Sequence, residues 1–330
     1  MKHINVSLFV PHLGCPNSCI FCNQKTISGK CEGLKTQDII NACEIAKNGN
    51  YKKENSEIAF FGGSFTAIER ETMIRFLETA KPYVGTYFSG IRISTRPDCI
   101  DREILEILKN YGVTAIELGA QSMDENVLRL NERGHTPEDT VRASALIKEY
   151  GFSLGLQMMT GLYGSDNEKD IKTAEEFISL RPDTVRIYPT VVLGSTKLEK
   201  LYKEGKYSPP TLREAVSLSA RLLMMFCEEN IKVIRLGLHS GGNVEDGFVA
   251  GAYHPALREL AESEIYKTKL EELLRDLPDG EYEIAVGKTE LSKAIGQKRS
   301  NISYFKEKGK TLKITGDDSL IPYNVYLLNK

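Results

Sequence analysis

Seven short apolar runs, largely β-branched, recur along the first 240 positions: Asn5–Val10, Glu57–Phe61, Ile91–Ser94, Thr114–Leu118, Ser153–Met158, Thr184–Tyr188 and Lys232–Leu236. Strands buried on both faces of a parallel sheet read this way, as near-continuous apolar runs. Helical periods lie between them. Ile39, Ala42, Cys43 and Ala46 recur at i, i+3, i+4 and i+7. Asp101 stands where an N-cap belongs, ahead of Ile104, Leu105 and Leu108, with Gly112 just past the end. Ala215, Val216, Ser219, Leu222, Leu223 and Phe226 form the stripe of a longer helix. Repeated β–α units predict an α/β fold with a parallel sheet and right-handed crossovers. Polar and glycine residues follow strand after strand: Gly62, Gly63 and Ser64; Ser94 to Arg96; Gly119 to Gln121; Met159 to Gly161; Pro189 and Thr190. A partial or complete TIM-like (β/α) barrel spreads its site over all those carboxyl ends. An open doubly wound sheet would gather it at one switch point. The spread predicts a barrel domain over residues 1–278. After Pro278, Asp279 and Gly280, residues 279–330 read as strand, helix, strand, strand, a small C-terminal α/β cap domain. Gly287, Lys288 and Thr289 do not make a phosphate loop, because Tyr282 stands where its first glycine is needed.

Three of the seven cysteines crowd into one loop. Cys15, Cys19 and Cys22 follow the spacing C-x3-C-x2-C. Soft thiolates select iron–sulfur clusters or zinc. Tetrahedral zinc needs a fourth ligand, usually from a second pair, and the chain has no second C-x2-C. A [4Fe–4S] cluster on three thiolates leaves one iron open. Cys31, Cys43, Cys99 and Cys227 have no ligand spacing, and the last three read as core filler. No apolar stretch is long enough to span a membrane, and Met1, Lys2 and His3 lead directly into a strand without a signal peptide. The expectation is therefore a cytoplasmic protein with reduced thiols and no membrane partner. The net charge of −2 supplies no global field to recruit nucleic acid.

The cysteine loop, with Phe21 just before its last cysteine, resembles the signature of the radical SAM superfamily. Its open iron binds S-adenosylmethionine (SAM). Phe60 to Ser64, ending a strand on Gly62 and Gly63, resembles the superfamily's methionine-binding motif, although Ser64 replaces its acid. Ile93-Ser-Thr-Arg-Pro-Asp98, Glu117-Leu-Gly-Ala-Gln-Ser122, Asn131-Glu-Arg-Gly-His-Thr136, Gly155-Leu-Gln-Met-Met159 and Arg186-Ile-Tyr-Pro-Thr190 are similar to the Elongator catalytic-subunit branch. These matches run in order over roughly residues 5–240. The resemblance implies a radical SAM barrel in which a 5′-deoxyadenosyl radical abstracts hydrogen from the substrate. It implies an electron donor such as flavodoxin or ferredoxin. Ser94 and Gln121 would contact the SAM ribose, Arg133 the methionine carboxylate, and the backbone around Phe21 the adenine.

Two departures shape the substrate expectation. There is no room for the Elongator subunit's acetyltransferase domain, and Lys2 is the only Lys or Arg ahead of Cys15, so nucleic acid is not expected. The stretch Ile234 to Ala256 resembles short clostridial members of the branch. Among those, the activity that suits such a chain is queuine lyase, which releases a 7-deazaguanine precursor for salvage. The expected substrate is therefore a small molecule, a modified nucleobase. Gln157, Arg186, Tyr188, Asp246 and His254 are candidates to line its pocket, and His239, Asp246, Tyr253 and His254 are candidate catalytic groups. His254 and Pro255 also suit a cap before a helix at Ala256–Glu262. Two other readings remain at this point: a tRNA-modifying or tRNA-binding protein, and a non-catalytic iron–sulfur sensor or scaffold.

Overall fold

The computed structural model describes residues 4–10, 15, 19–23, 33–238 and 242–329. Its main sheet holds β1 (Ile4–Phe9), β2 (Ser56–Phe61), β3 (Gly90–Thr95), β4 (Val113–Gln121), β5 (Ser153–Thr160), β6 (Thr184–Pro189) and, after the short β7 (Val191–Leu193), β8 (Lys232–Leu236). The spatial order is β1-β2-β3-β4-β5-β6-β8, and every pairing is parallel. The order never reverses, so there is no switch point and the doubly wound alternative is excluded. Right-handed crossovers taken always in one direction put the helices on one face. The other face curls inward as a (β/α) partial barrel. Among the described residues no ladder joins β8 back to β1.

The helices form where the sequence indicates. Asp101 accepts the Ile104 amide at 2.8 Å, and Gly112, past the end, has φ 83°. The stripe from Ala215 to Phe226 lies in the helix Leu212–Glu228 and is buried against the sheet. One large core, with Phe60, Ile93, Leu118, Leu156 and Ile187 at its centre, fills the space between sheet and helices.

Two smaller sheets flank the barrel. β7 pairs antiparallel with β9 (Phe248–Gly251) near the strand ends. β10 (Gly280–Gly287), β11 (Lys310–Asp317) and β12 (Val325–Asn329) form a three-stranded sheet in the order β11-β10-β12. The helix Leu257–Leu274 joins this sheet to the barrel. Its Glu262 accepts from the Tyr323 hydroxyl at 3.2 Å and pairs with Arg258, whose Nη1 donates to the Val233 carbonyl of β8 at 2.8 Å. No helix of the described residues is long and apolar enough to cross a membrane.

Candidate active site

The cysteine loop lies over the carboxyl ends of the strands. Cys15 and Cys19 are each within electrostatic reach of Cys22. The Cys22 amide donates to the Cys19 carbonyl at 3.0 Å, a tight turn that brings two of the three cysteines together. Burial, then the neighbouring Cys19 and Cys15, push the Cys22 thiol up to about 12. Arg133 opposes that shift, and its Nη1 sits 3.1 Å from Cys19 Sγ. Among the described residues no three donors converge on one point as a single ion would require. Three thiols spaced along one loop, with a guanidinium against Cys19, fit the donor chemistry of an iron–sulfur cluster instead. Ile20 anchors the loop from both sides: its amide donates to the Asn131 carbonyl at 3.3 Å and its carbonyl accepts the Leu198 amide at 2.8 Å.

Beneath the loop, several strand ends present polar groups. Gly62 has φ 89°, and a Cβ there would press on the Val10 carbonyl at 3.4 Å. Ser64 is fully buried, and its hydroxyl belongs to a directed chain. Thr66 gives its proton to the Cys99 carbonyl at 2.7 Å, so it accepts from Thr95 at 2.6 Å, and Thr95 accepts from Ser64 at 2.8 Å. The Ser64 oxygen also receives the Arg96 amide at 3.2 Å. Its one proton is thus committed to tying the β2 and β3 ends together.

Other groups there have no partner. Ser94 Oγ, Gln121 Oε1, Arg133 Nε and His135 Nδ1 are buried without a hydrogen bond. Gln121 adopts φ 68°, and the β4–β5 register shifts between Leu118 and Gln121. Such bulges re-aim side chains beside active sites. A buried polar atom left open calls for a partner such as a ligand or a water. Arg133 Nη2 is fixed on the Gly119 carbonyl at 2.5 Å, which leaves Nε free. His135 Nε2 faces the Ala120 carbonyl at 3.1 Å, so the proton sits there and Nδ1 is bare.

Deeper in the barrel a buried ionic belt crosses five strands. Glu57 on β2 meets Arg92 on β3 at 2.8 Å, and Arg92 reaches Glu117 on β4 at 3.2 Å. Arg186 on β6 closes on the same carboxylate, Nε at 2.6 Å and Nη2 at 2.9 Å. Gln157 on β5 donates to its second oxygen at 3.0 Å. Glu117 is 1% exposed and fully paired. Arg186 also lies over the Phe61 ring, 5.1 Å from its centroid, and engages the Tyr188 hydroxyl. Burial raises the pKa of the half-buried Tyr188.

The structure therefore gathers Gln157, Arg186 and Tyr188 in one place. The other candidates are set apart from that belt. Asp246 is exposed on the short helix Gly242–Gly247. The Tyr253 hydroxyl donates to Glu245 at 2.8 Å. His254 Nδ1 accepts the Ala256 amide at 3.1 Å, just ahead of the helix Leu257–Leu274. Phe21 packs with Ile20, Val192, Leu198 and Tyr207 in a small satellite core. Gly63 is half-exposed beside Gly62. His239 lies outside the described residues.

Three further residues were not singled out from the sequence. Glu117 had a signal, a lone acid inside a buried apolar strand. Asn131 is fully buried, and its side-chain amide donates to the Val127 and Tyr163 carbonyls at 2.7 and 2.9 Å. Asp170 accepts the Gly161 amide at 2.8 Å and the Ser165 hydroxyl at 2.6 Å, which fixes the β5 loop. Burial raises its pKa to about 6. Asn131 opens one of the motifs that carry the resemblance, although nothing local points to its own role; Asp170 carries no local signal.

Residues 9–178 match the family described as the radical SAM superfamily, and residues 182–267 match the radical SAM C-terminal domain. The chain is 28% identical over 239 residues to the tRNA uridine(34) acetyltransferase of Dehalococcoides mccartyi, covering 62% of this chain and 52% of that one. It is 40% identical over 130 residues to the protein of the same name from Methanocaldococcus jannaschii, 38% of this chain and 24% of that one. Human Elongator complex protein 3 is 33% identical over 204 residues, 55% of this chain and 37% of its own. The chain thus spans about half the length, or less, of these relatives. Among solved structures, an N-terminally truncated archaeal Elp3 from Methanocaldococcus infernus aligns with a TM-score of 0.63 at 22% identity, covering 82% of this chain and 64% of that one.

Proposed function

Because this chain belongs to the radical SAM superfamily, within its Elongator-like branch, we propose that it is an enzyme acting on a small nitrogen heterocycle held in the barrel. The superfamily's cofactors are a [4Fe–4S] cluster and SAM. In this reading Cys15, Cys19 and Cys22 hold the cluster. Ser94 Oγ, Gln121 Oε1 and Arg133 Nε, with Gly62 and Gly63, receive SAM, and the backbone at Phe21 meets its adenine. When bound, the pair supplies one-electron cleavage of the sulfonium carbon–sulfur bond and a radical that abstracts hydrogen. The chain's own work is placement. The Ser64–Thr95–Thr66 chain fixes the strand ends, Asn131 fixes the cysteine loop, and the belt gives the barrel a rigid, dry floor. The observation that carries this reading is the set of unpartnered buried atoms about the β3 and β4 ends, Ser94 Oγ, Gln121 Oε1, Arg133 Nε and His135 Nδ1, with Arg133 also against Cys19. Residues 279–330 stand in it as a separate cap unit.

The finer reading is queuine lyase. A flat base needs apolar faces and a few polar anchors. Tyr188 and the part of Phe61 not covered by Arg186 offer apolar surface, and the Gln157 amide offers a polar anchor above the fully paired Glu117. Tyr253 and His254, on the segment after β9, and Asp246 are the remaining candidates to contact the base. The test is anaerobic reconstitution and reduction with SAM, measuring 5′-deoxyadenosine with and without queuine. Release of deoxyadenosine that climbs with queuine, together with a cleaved base, supports the lyase. Slow release indifferent to queuine keeps the superfamily chemistry and removes this substrate. The relatives' name, tRNA uridine(34) acetyltransferase, favours a second reading in which the base is presented on tRNA. Deoxyadenosine release stimulated by tRNA and not by the free base would select it.

A further inference from the structure

One guanidinium stands between the cysteine loop and the barrel, and the reading above uses only its Nε. Arg133 is 7% exposed. It follows the helix Glu125–Leu130, in a turn where Glu132 and Gly134 adopt φ 53° and 72°. The Arg133 amide closes that turn on the Leu128 carbonyl at 3.0 Å. The same turn carries Asn131, whose carbonyl receives the Ile20 amide of the cysteine loop at 3.3 Å. One turn thus holds the loop by its backbone and reaches it by a side chain.

The side chain is aimed by β4. Nη2 donates to the Gly119 carbonyl at 2.5 Å, in the stretch where the β4–β5 register shifts. That anchor sets Nη1 on Cys19 Sγ at 3.1 Å, and the charge also reaches Cys22. Nε has no partner. None of the three nitrogens meets a carboxylate, so among the described residues the charge of Arg133 is uncompensated. Arg96 makes the contrast. It too lies within electrostatic reach of Cys19, but Asp98 neutralises it through two bonds of 2.9 and 2.8 Å. Buried guanidiniums are ordinarily paired with an anion. At Arg133 the atom that stands in the anion's place is a cysteine sulfur.

We propose that Arg133 is a positioning residue that acts through Cys19: it holds a positive N–H on the ligand sulfur and so raises the potential at which the site takes up an electron. Iron–sulfur potentials are set by local charge and by hydrogen bonds to the sulfurs. A charge-assisted bond strengthens as its acceptor becomes more negative, so this one favours the form with one electron more. That electron comes from an external one-electron donor; no bond forms or breaks, and Arg133 keeps its proton. The inference rests on the reading that Cys15, Cys19 and Cys22 hold a [4Fe–4S] cluster. It adds a role exerted before SAM arrives, separate from the carboxylate contact given to Nε.

The test uses the full chain, reconstituted anaerobically and kept free of SAM, so that Arg133 can act only on the cluster ligands. The potential is read by electron paramagnetic resonance during a mediated redox titration. At a fixed potential, Arg133→Gln is expected to lower the ratio of reduced to oxidised cluster about tenfold, a shift of about 59 mV downward for one electron. Arg133→Lys keeps the charge but lacks the fork that spans Gly119 and Cys19, and the ratio should fall about threefold. Iron content of both variants should equal that of the parent. An unchanged potential in Arg133→Gln at full iron content overturns the proposal, even if SAM affinity falls, and leaves the superfamily reading intact. If Arg133→Gln takes up no iron, an unchanged potential in Arg133→Lys overturns it. A parent chain that assembles no [4Fe–4S] cluster overturns both, and iron and sulfide analysis tells that failure from the others.

Discussion

The mouth and the interior of the barrel are both lined with buried polar side chains, and they treat them in opposite ways. In the interior, Glu117 meets Arg92, Arg186 and Gln157, so the carboxylate is fully paired. At the mouth, Ser94, Gln121, Arg133 and His135 each keep one buried atom unpaired. Desolvating a polar group without a partner costs about 1–3 kcal/mol. Unpaired buried atoms are more numerous near the mouth, where Asn131 Oδ1 and Thr190 Oγ1 join those four, than around the belt, where Thr184 Oγ1 and the poorly aligned Arg186 Nε are unpaired, so the mouth leans to binding and the belt to support. Paired charges hold a shape, whereas open valences await a ligand.

Breaking the interior should do the most damage. Glu117→Gln leaves the buried Arg186 without a counter-charge, while Arg92 keeps Glu57, and is expected to cost about 3–5 kcal/mol, read as a lowered urea midpoint. A cost below about 1 kcal/mol would mean that water reaches the belt.

The next effect sets the mouth's imidazole against the β5 loop's carboxylate. Burial, then Arg133 and Arg96, hold His135 near 4 against an ordinary 6.5, with Asp98 and the Ala120 carbonyl opposing. Its stabilisation is present above 6.5 and lost as pH falls toward 4. Asp170, raised to about 6 from 3.8, does the reverse: its contribution is present below 3.8 and lost as pH rises through 6. Across pH 4–6 the two slopes oppose. His135→Gln should leave stability falling with pH, and Asp170→Asn should leave it rising, each by about 2–3 kcal/mol across the window. Chemical denaturation at stepped pH reads both. Parallel curves for the two variants would refute the pairing.

Ser94→Ala removes a hydroxyl that bonds to nothing. Stability without ligand should move by less than about 0.5 kcal/mol, while SAM affinity, measured by calorimetry, should fall about five- to tenfold. A large loss of stability with unchanged affinity would reassign Ser94 to support. The smallest effect belongs to the surface. Arg102 contacts Glu149 through two bonds of 2.6 and 3.0 Å, geometry as good as that at Glu117, but both side chains are exposed. Arg102→Ala should cost about 0.5 kcal/mol or less in the same urea assay, because water has already screened the pair.

The sequence made the strands, their parallel sense and the cysteine loop readable, because each is a local pattern: an apolar run, a period, a spacing. The residues at the ends of β3 and β4 were readable as motifs. The ionic belt was not, because Glu57, Arg92, Glu117 and Arg186 are 25 to 69 residues from the partners they meet. Register alone brings them together. The β7–β9 ribbon escaped notice because three- and four-residue strands carry too little pattern. One helix was expected between β10 and β11, and the structure has two, Leu291–Ile295 and Ser300–Glu307. The break at Gly296 was hidden inside a helical period, and only the clash of a Cβ with Ser300 shows why the helix stops there.

Ile20 is buried outside the large core, in a small cluster with Val192, Leu198 and Tyr207. Thermodynamically, the ligand loop hangs on a latch of its own. Releasing that latch exposes one isoleucine and frees two backbone bonds, without opening a single rung of the main sheet. Subglobal openings of this size are far cheaper than unfolding. The Leu198 amide, held by Ile20, should therefore exchange with solvent well ahead of the Ile58 amide on β2. If Cys15, Cys19 and Cys22 hold the cluster as proposed, loading iron requires only this opening and not the unfolding of the barrel.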